Sequence, residues 1–171
     1  ALMTPYASDR SLLRQRVNAA LTCARTLPGV DSSRVAAVGF CFGGMTALEL
    51  ARSGADVAGV ISVHGLLGAG EVANATIRAS VLCLHGHDDP MGPPADVLAF
   101  ETEMTAANAD WQLHVFGRTK HAFTNPAAND HGLGTVYNQL ANDRAQRAIA
   151  DFLAELFASP QGVTEEEWQA D

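Results

Sequence analysis

The stretch Arg34-Val35-Ala36-Ala37-Val38-Gly39-Phe40-Cys41-Phe42-Gly43-Gly44 decides the fold. Its first half, Arg34–Val38, is a short apolar run with β-branched residues, the pattern of a strand buried in a parallel sheet. A glycine-rich turn follows. The chain then reads as a helix from Phe42 to Ser53, with Gly54 where a C-cap glycine belongs. Strand, tight turn and helix in immediate succession are the unit of an α/β architecture.

The pattern continues on both sides. Upstream, Leu13, Val17, Ala20, Leu21, Ala24 and Leu27 recur at helical spacing, which predicts a helix over Ser11–Leu27 ended by Pro28-Gly29. Downstream, buried strands are expected at Val57–Val63 and Ser80–His85, and a further strand at Trp111–Phe116. Pro93-Pro94 opens a helix between the last two. Loops are expected over Gly65–Ala79 and Gly117–Gly134. A final helix carries Ala145, Ala148, Ile149, Phe152, Leu153 and Leu156 as its apolar stripe, with Asn142 as its cap. Strands alternating with helices predict a mainly parallel sheet flanked by helices.

Of 171 residues, 47% are hydrophobic and 18% charged, enough apolar surface for one folded domain. That domain is expected to span residues 1–160, with residues 161–171 as a mobile acidic tail. The net charge of −8 excludes a nucleic-acid partner, which needs a basic face, and disfavours an anionic membrane surface. There is no apolar run of about 18 residues to span a bilayer, and the N-terminus lacks the features of a signal peptide. Cys23, Cys41 and Cys83 are too few and too odd in number for a disulfide framework, so a reducing cytoplasm is the expected compartment.

Gly39-Phe40-Cys41-Phe42-Gly43 matches a G-x-nucleophile-x-G turn with cysteine as the nucleophile. Side chains at Gly39 or Gly43 are expected to collide with neighbouring backbone. The Phe42 N–H, at the helix start, would face a developing oxyanion, and the helix N-terminus favours thiolate over thiol. Two plainer readings stand beside this one. Cys41 could be a small buried hydrophobe among packing glycines. The turn could also bind phosphate, although it has neither a P-loop lysine nor a G-x-G-x-x-G pattern.

Two further segments sit just past strand ends: His85-Gly86-His87-Asp88-Asp89-Pro90 and Lys120-His121-Ala122-Phe123. Cys41, Asp89 and His121 then run in the order nucleophile, acid, base. Asp88 competes with Asp89 for the acid. His64, at the end of the second strand, is a candidate pocket residue or a hydrogen-bonded core histidine. His85 reads as structural. Phe123 and Asn125 follow the base and are candidates for the substrate pocket, Phe123 equally for core. His85, His87, Asp88, Asp89, His121 and His131 could ligate a metal, but no metal-site spacing joins them, and no metal or other cofactor is expected.

With these residues the chain resembles the dienelactone hydrolase family of α/β-hydrolases. The resemblance rests on Gly39-Phe40-Cys41-Phe42-Gly43-Gly44, the Gly86-x-x-Asp89 segment and His121-Ala122-Phe123, and runs from about residue 9 to residue 157. It implies a Cys41-His121-Asp89 triad, Asp89 as the acid, and attack on an ester or lactone through an acyl-thioester. Two departures limit what carries over. The strands that precede the elbow strand in the family have no counterpart here, and with them go the second oxyanion donor and residues that control the nucleophile. Asn125 stands where the family's prototype has an arginine for a substrate carboxylate, so a dianionic substrate is not expected.

The expected function is hydrolysis of a small-molecule carboxylic ester or lactone. The alternative is a catalytically silent, hydrolase-like fragment that serves as a binding module. The first strand, with no earlier partner, is expected to be an exposed apolar edge that pairs with a second copy or a missing segment, unless the first helix covers it.

Overall fold

The computed structural model describes residues 3–158. Strands β1 (Ala36–Phe40), β2 (Gly59–Val63), β3 (Ser80–Gly86) and β4 (Trp111–Phe116) form one sheet in the order β1-β2-β3-β4, every pair parallel. The helices are α1 (Thr4–Ser8), α2 (Arg10–Arg25), α3 (Phe42–Arg52), α4 (Pro94–Ala106) and α5 (Gln139–Phe157). The expected acidic tail, residues 161–171, lies outside the described residues.

Alternation along the strands divides the core in two. Val60, Val81 and Cys83 point to one face and pack with Leu48, Leu50, Phe100 and Met104 of α3 and α4. Ile61, Val63, Leu82 and Leu84 point to the other and meet Ala145 and Phe152 of α5. Both faces of the central strands are therefore apolar, which is why these strands read as unbroken hydrophobic runs.

The boundaries differ from expectation in ways that have local causes. The first strand begins two residues later than expected and continues through Gly39 and Phe40, which pair with Ser62 and Val63. Arg34 stays outside it. Its guanidinium donates to the Phe157 carbonyl at 2.8 Å and lies over the Phe157 ring, tying the strand's entry to the end of α5. The last helix starts earlier, because Asn138, not Asn142, is its cap: the Asn138 Oδ1 accepts the Ala141 N–H at 3.1 Å. Asp9 caps α2 in the same way at 2.9 Å. The expected loop after β4 contains two short strands, β5 (Asn129–Asp130) and β6 (Thr135–Val136), paired antiparallel.

A buried charge network beneath α3 has no signature in the sequence. Glu49 on α3 accepts Arg14 of α2 at 2.7 Å and Arg52 at 3.0 Å, and Arg52 also binds Glu103 of α4 at 2.7 Å. Arg14 and Arg52 further donate to the carbonyls of Ala73 and Leu67. Four ionised groups thus fasten three helices and the loop between β2 and β3. Their burial is tolerable because each charge meets an opposite one.

On β1, Val38 and Phe40 are 43% and 45% exposed. The strand pairs only with β2 among the described residues, so its other edge is open, as the sequence leads one to expect. Helix α2 packs on α3 and does not cover that edge.

Candidate active site

Each of the four parallel strands ends beside one chemically active side chain. Cys41 directly follows β1 and His64 directly follows β2; Asp89 and His121 lie a few residues beyond β3 and β4. This is the sheet edge at which α/β folds bind ligands.

The turn at Cys41 is sterically closed. Cys41 adopts φ 55°, ψ −118°, a conformation rare for a residue with a side chain and maintained only when its surroundings impose it. A Cβ on Gly39 would land on the Gly43 carbonyl, so the strand can approach the helix start only with glycine there. The expected clash at Gly43 is not found, since a Cβ there would meet open space. The tight position is Gly44, where a Cβ would lie 2.7 Å from Ser62 Oγ and 2.9 Å from Gly65 Cα.

Three of the candidate residues meet. His121 Nε2 lies 3.1 Å from Cys41 Sγ, and His121 Nδ1 lies 2.8 Å from Asp89 Oδ2. The second carboxylate oxygen, Oδ1, accepts the Met91 N–H at 2.8 Å. Asp89 and His121 are buried, while Cys41 is exposed to a cavity of about 760 Å³. His121 is clamped through its own backbone: its N–H donates to Gly134 O at 3.0 Å and its carbonyl accepts the Val136 N–H at 2.9 Å. Asp88 is exposed and takes no part in this chain of contacts.

The electrostatics favour a thiolate–imidazolium pair. The hydrogen bond to His121 draws the Cys41 thiol below its ordinary pKa against the opposing effect of burial, helped by the imidazolium charge and the Phe42 N–H. Burial alone would depress His121, but its hydrogen bonds to Asp89 and Cys41 raise it to about 9. Burial works to raise Asp89, yet the contacts with His121 and the Met91 N–H leave it below the usual carboxylate range. Cys83 contrasts with Cys41. It is fully buried in β3 and pushed up to about 12.

The remaining candidates separate. His64 lines the cavity, but both ring nitrogens are engaged: Nδ1 with the Cys41 N–H at 3.2 Å and Nε2 with Thr124 Oγ1 at 2.8 Å. Burial lowers it to about 4, so the ring is neutral at ordinary pH. Asn125 lines the cavity and steadies its own loop by accepting the Ala127 N–H. Phe123 does not line it. Its side chain is fully buried against Phe116 and His64, while its neighbours Ala122, Thr124 and Asn125 line the cavity. His85 is buried and donates through Nε2 to Gly92 O, as a structural histidine does. Among the described residues no three His, Cys, Asp or Glu side chains cluster as a metal site. Nor is any described helix long and apolar enough to cross a membrane.

Thr124 escaped the sequence reading. Its only cue was its position, three residues past the base on the same loop.

The sequence profile of the dienelactone hydrolase family matches residues 1–157. The chain belongs to the dienelactone hydrolase family. It is 36% identical over 156 residues to an uncharacterized Caenorhabditis elegans protein, K02A2.1, covering 88% of this chain and 99% of that one. It is 39% identical to P91, a dienelactone hydrolase-like promiscuous phosphotriesterase from metagenomic libraries, at a TM-score of 0.83 over 91% of this chain and 66% of P91. The chain therefore spans just under two thirds of that solved relative. Esterase 2 of Thermogutta terrifontis, at 18% identity and a TM-score of 0.62, covers 85% of this chain and 65% of its own and shares the fold alone. The parallel sheet and its helices are thus an α/β-hydrolase-like fold, and membership in the dienelactone hydrolase family supports hydrolase activity in general.

Proposed function

We propose that this dienelactone hydrolase family member cleaves carboxylic ester or lactone bonds, with Cys41 as nucleophile, His121 as acid and base, and Asp89 as the group that orients His121. The observation that carries this reading is the continuous contact Cys41 Sγ–His121–Asp89 opening onto a cavity. The thiolate sulfur attacks the carbonyl carbon, and the carbonyl π pair moves to oxygen, which the Phe42 N–H faces. As the oxyanion collapses, the C–O bond breaks and the alcohol leaves with the proton of the His121 imidazolium. Water then gives a proton to His121 and adds to the thioester. The second collapse expels the Cys41 thiolate beside a recharged imidazolium, so the cycle closes.

The cavity wall suits a neutral substrate. Phe40, Met91, Ala122, Pro126 and Leu133 supply apolar surface, and among the described residues no lysine or arginine lines it. A dianionic substrate would find there only the His121 imidazolium, already paired with the Cys41 thiolate and Asp89, in a chain of net charge −8.

The test is a panel of p-nitrophenyl esters, alkyl esters and lactones, followed by turnover and by intact mass, with Cys41→Ala alongside. An acyl adduct that vanishes in the variant supports the reading. A chain that neither turns over nor forms an adduct with any member is the silent binding module instead. The 39% identity to P91 makes a phosphotriester the informative addition to the panel.

A further inference from the structure

Hydrogen bonds have direction, and around His64 the directions can be followed from atom to atom. The Cys41 N–H points to Val63 O at 3.0 Å and to His64 Nδ1 at 3.2 Å. A nitrogen that accepts a hydrogen bond carries no proton, so the neutral ring holds its proton on Nε2. That N–H faces Thr124 Oγ1 at 2.8 Å, so the threonine oxygen accepts. The Thr124 hydroxyl hydrogen is then free to be given elsewhere. Among the described residues it finds no acceptor, and Thr124 lines the same cavity as Cys41 and His121.

The rest of the site reinforces the arrangement. His64 is buried, with φ 39°, a left-handed conformation that its surroundings impose. Its ring is hemmed edge-on by Phe123 and His121, with centroids 5.1 and 5.2 Å away, and so has little room to turn over and exchange its nitrogens. An ester or lactone presents only acceptor oxygens. A wall hydroxyl whose oxygen is already occupied and whose hydrogen is free is the complementary group.

We propose that Thr124 is a substrate-binding residue whose hydroxyl, held as a donor by the chain Cys41 N–H to His64 to Thr124, gives its hydrogen bond to an oxygen of the bound ester or lactone. The proposal rests on the hydrolase reading of the same cavity. It makes His64 a positioning residue that acts through Thr124 and through the Cys41 backbone, and it gives this site a second donor besides the Phe42 N–H.

The test compares the full chain with its Thr124→Val and Thr124→Ser variants, all in a Cys23→Ser background to remove the other exposed thiol. Two reactions of Cys41 are timed. One is acylation by p-nitrophenyl acetate, read by p-nitrophenolate release and by the thioester mass. The other is exchange with dimethyl disulfide, a reagent with no oxygen or nitrogen to receive a hydrogen bond, read by intact mass. Thr124→Val is expected to acylate about tenfold more slowly, the loss of one hydrogen bond to substrate, and Thr124→Ser within about twofold of the parent. Exchange with the disulfide, and its pH profile, should be the same in all three. Unchanged acylation in Thr124→Val overturns the proposal. Equal slowing of both reactions also overturns it, since Thr124 would then act on the nucleophile and not on substrate. A parent chain that exchanges with the disulfide yet is acylated by no ester is a different failure, that of the hydrolase reading itself. Independently of any reaction, 15N NMR of His64 should show the proton on Nε2, and a proton on Nδ1 overturns the proposal.

Discussion

His121 Nε2 and Cys41 Sγ stand 3.1 Å apart, and the two groups shift each other's proton affinity in opposite directions. The thiol is drawn down and the imidazole is raised to about 9, so the pair titrates as a unit. Alkylation of Cys41 should therefore set in well below the ordinary thiol range of about 8.5 and stay on a plateau above it. Hydrolysis of an alkyl ester should rise with the thiolate and fall again near pH 9, when His121 loses the proton that the leaving alcohol needs. A p-nitrophenolate leaves without that proton, so its release in the acylation burst should lack the alkaline fall. A common alkaline limb for both ester types would contradict this division of labour.

Asp89 holds the His121 ring by one oxygen and the Met91 N–H by the other. Asp89→Asn keeps the shape but can present its N–H to Nδ1, which favours the wrong tautomer. Ester turnover should fall by roughly 10²–10⁴, and the onset of Cys41 alkylation should move to higher pH. An Asp88→Asn control should leave both within about twofold, since surface changes away from such contacts cost little. If Asp88→Asn proves the damaging one, the acid has been misassigned.

His64 links pH to stability. Its folded pKa of about 4 lies below the ordinary value near 6.5, so between these limits the unfolded chain binds the proton first. Stability should rise with pH through this window and gain nothing more from His64 above it. The contribution is on the order of 3 kcal/mol. Urea unfolding at a series of pH values should show this slope, and His64→Gln should flatten it. An unchanged slope would mean that other groups carry the acid sensitivity.

The Arg14–Glu49–Arg52–Glu103 network sits under α3, the helix that follows Cys41. Glu49→Gln leaves buried Arg14 without a carboxylate and Arg52 with Glu103 alone, and should cost about 3–5 kcal/mol. Loss of stability of less than 1 kcal/mol in denaturant unfolding would show that water reaches the charges.

The open edge of β1, with Val38 and Phe40 exposed, carries the expectation of pairing with a second copy of the chain. Sedimentation should show a concentration-dependent dimer that Val38→Lys disperses. A parent chain that stays monomeric at high concentration would remove that occupant.

The parts legible in the sequence were those with a strong local signature. β2 and β3 are nearly continuous apolar runs, β4 alternates Trp111, Leu113 and Val115 with Gln112 and His114, and Cys41 announces itself through its glycines. Asp89 and His121 were found because each lies just beyond a strand. What stayed hidden depends on contacts distant in the chain. Glu49 and Arg52 look like the polar face of a surface helix until α2 and α4 close over them. Asn138 and Asn142 are equally good caps on paper, and only the turn of the loop chooses between them. Phe123 and Thr124 are neighbours on one loop. Which of them faces the cavity is fixed by the turn after His121, where Ala122 takes φ 56°.

The four groups of the site come from four strands that line up across the sheet in chain order. The contact between Cys41 and His121 spans 80 residues, and that between His121 and Asp89 spans 32. Closing such loops is slow relative to local helix formation. The nucleophile turn can form early from its own strand and helix, but its thiol acquires its character only when β4 and the loop beyond it have docked. The reactivity of one sulfur thus reports whether contacts far apart in the chain have closed.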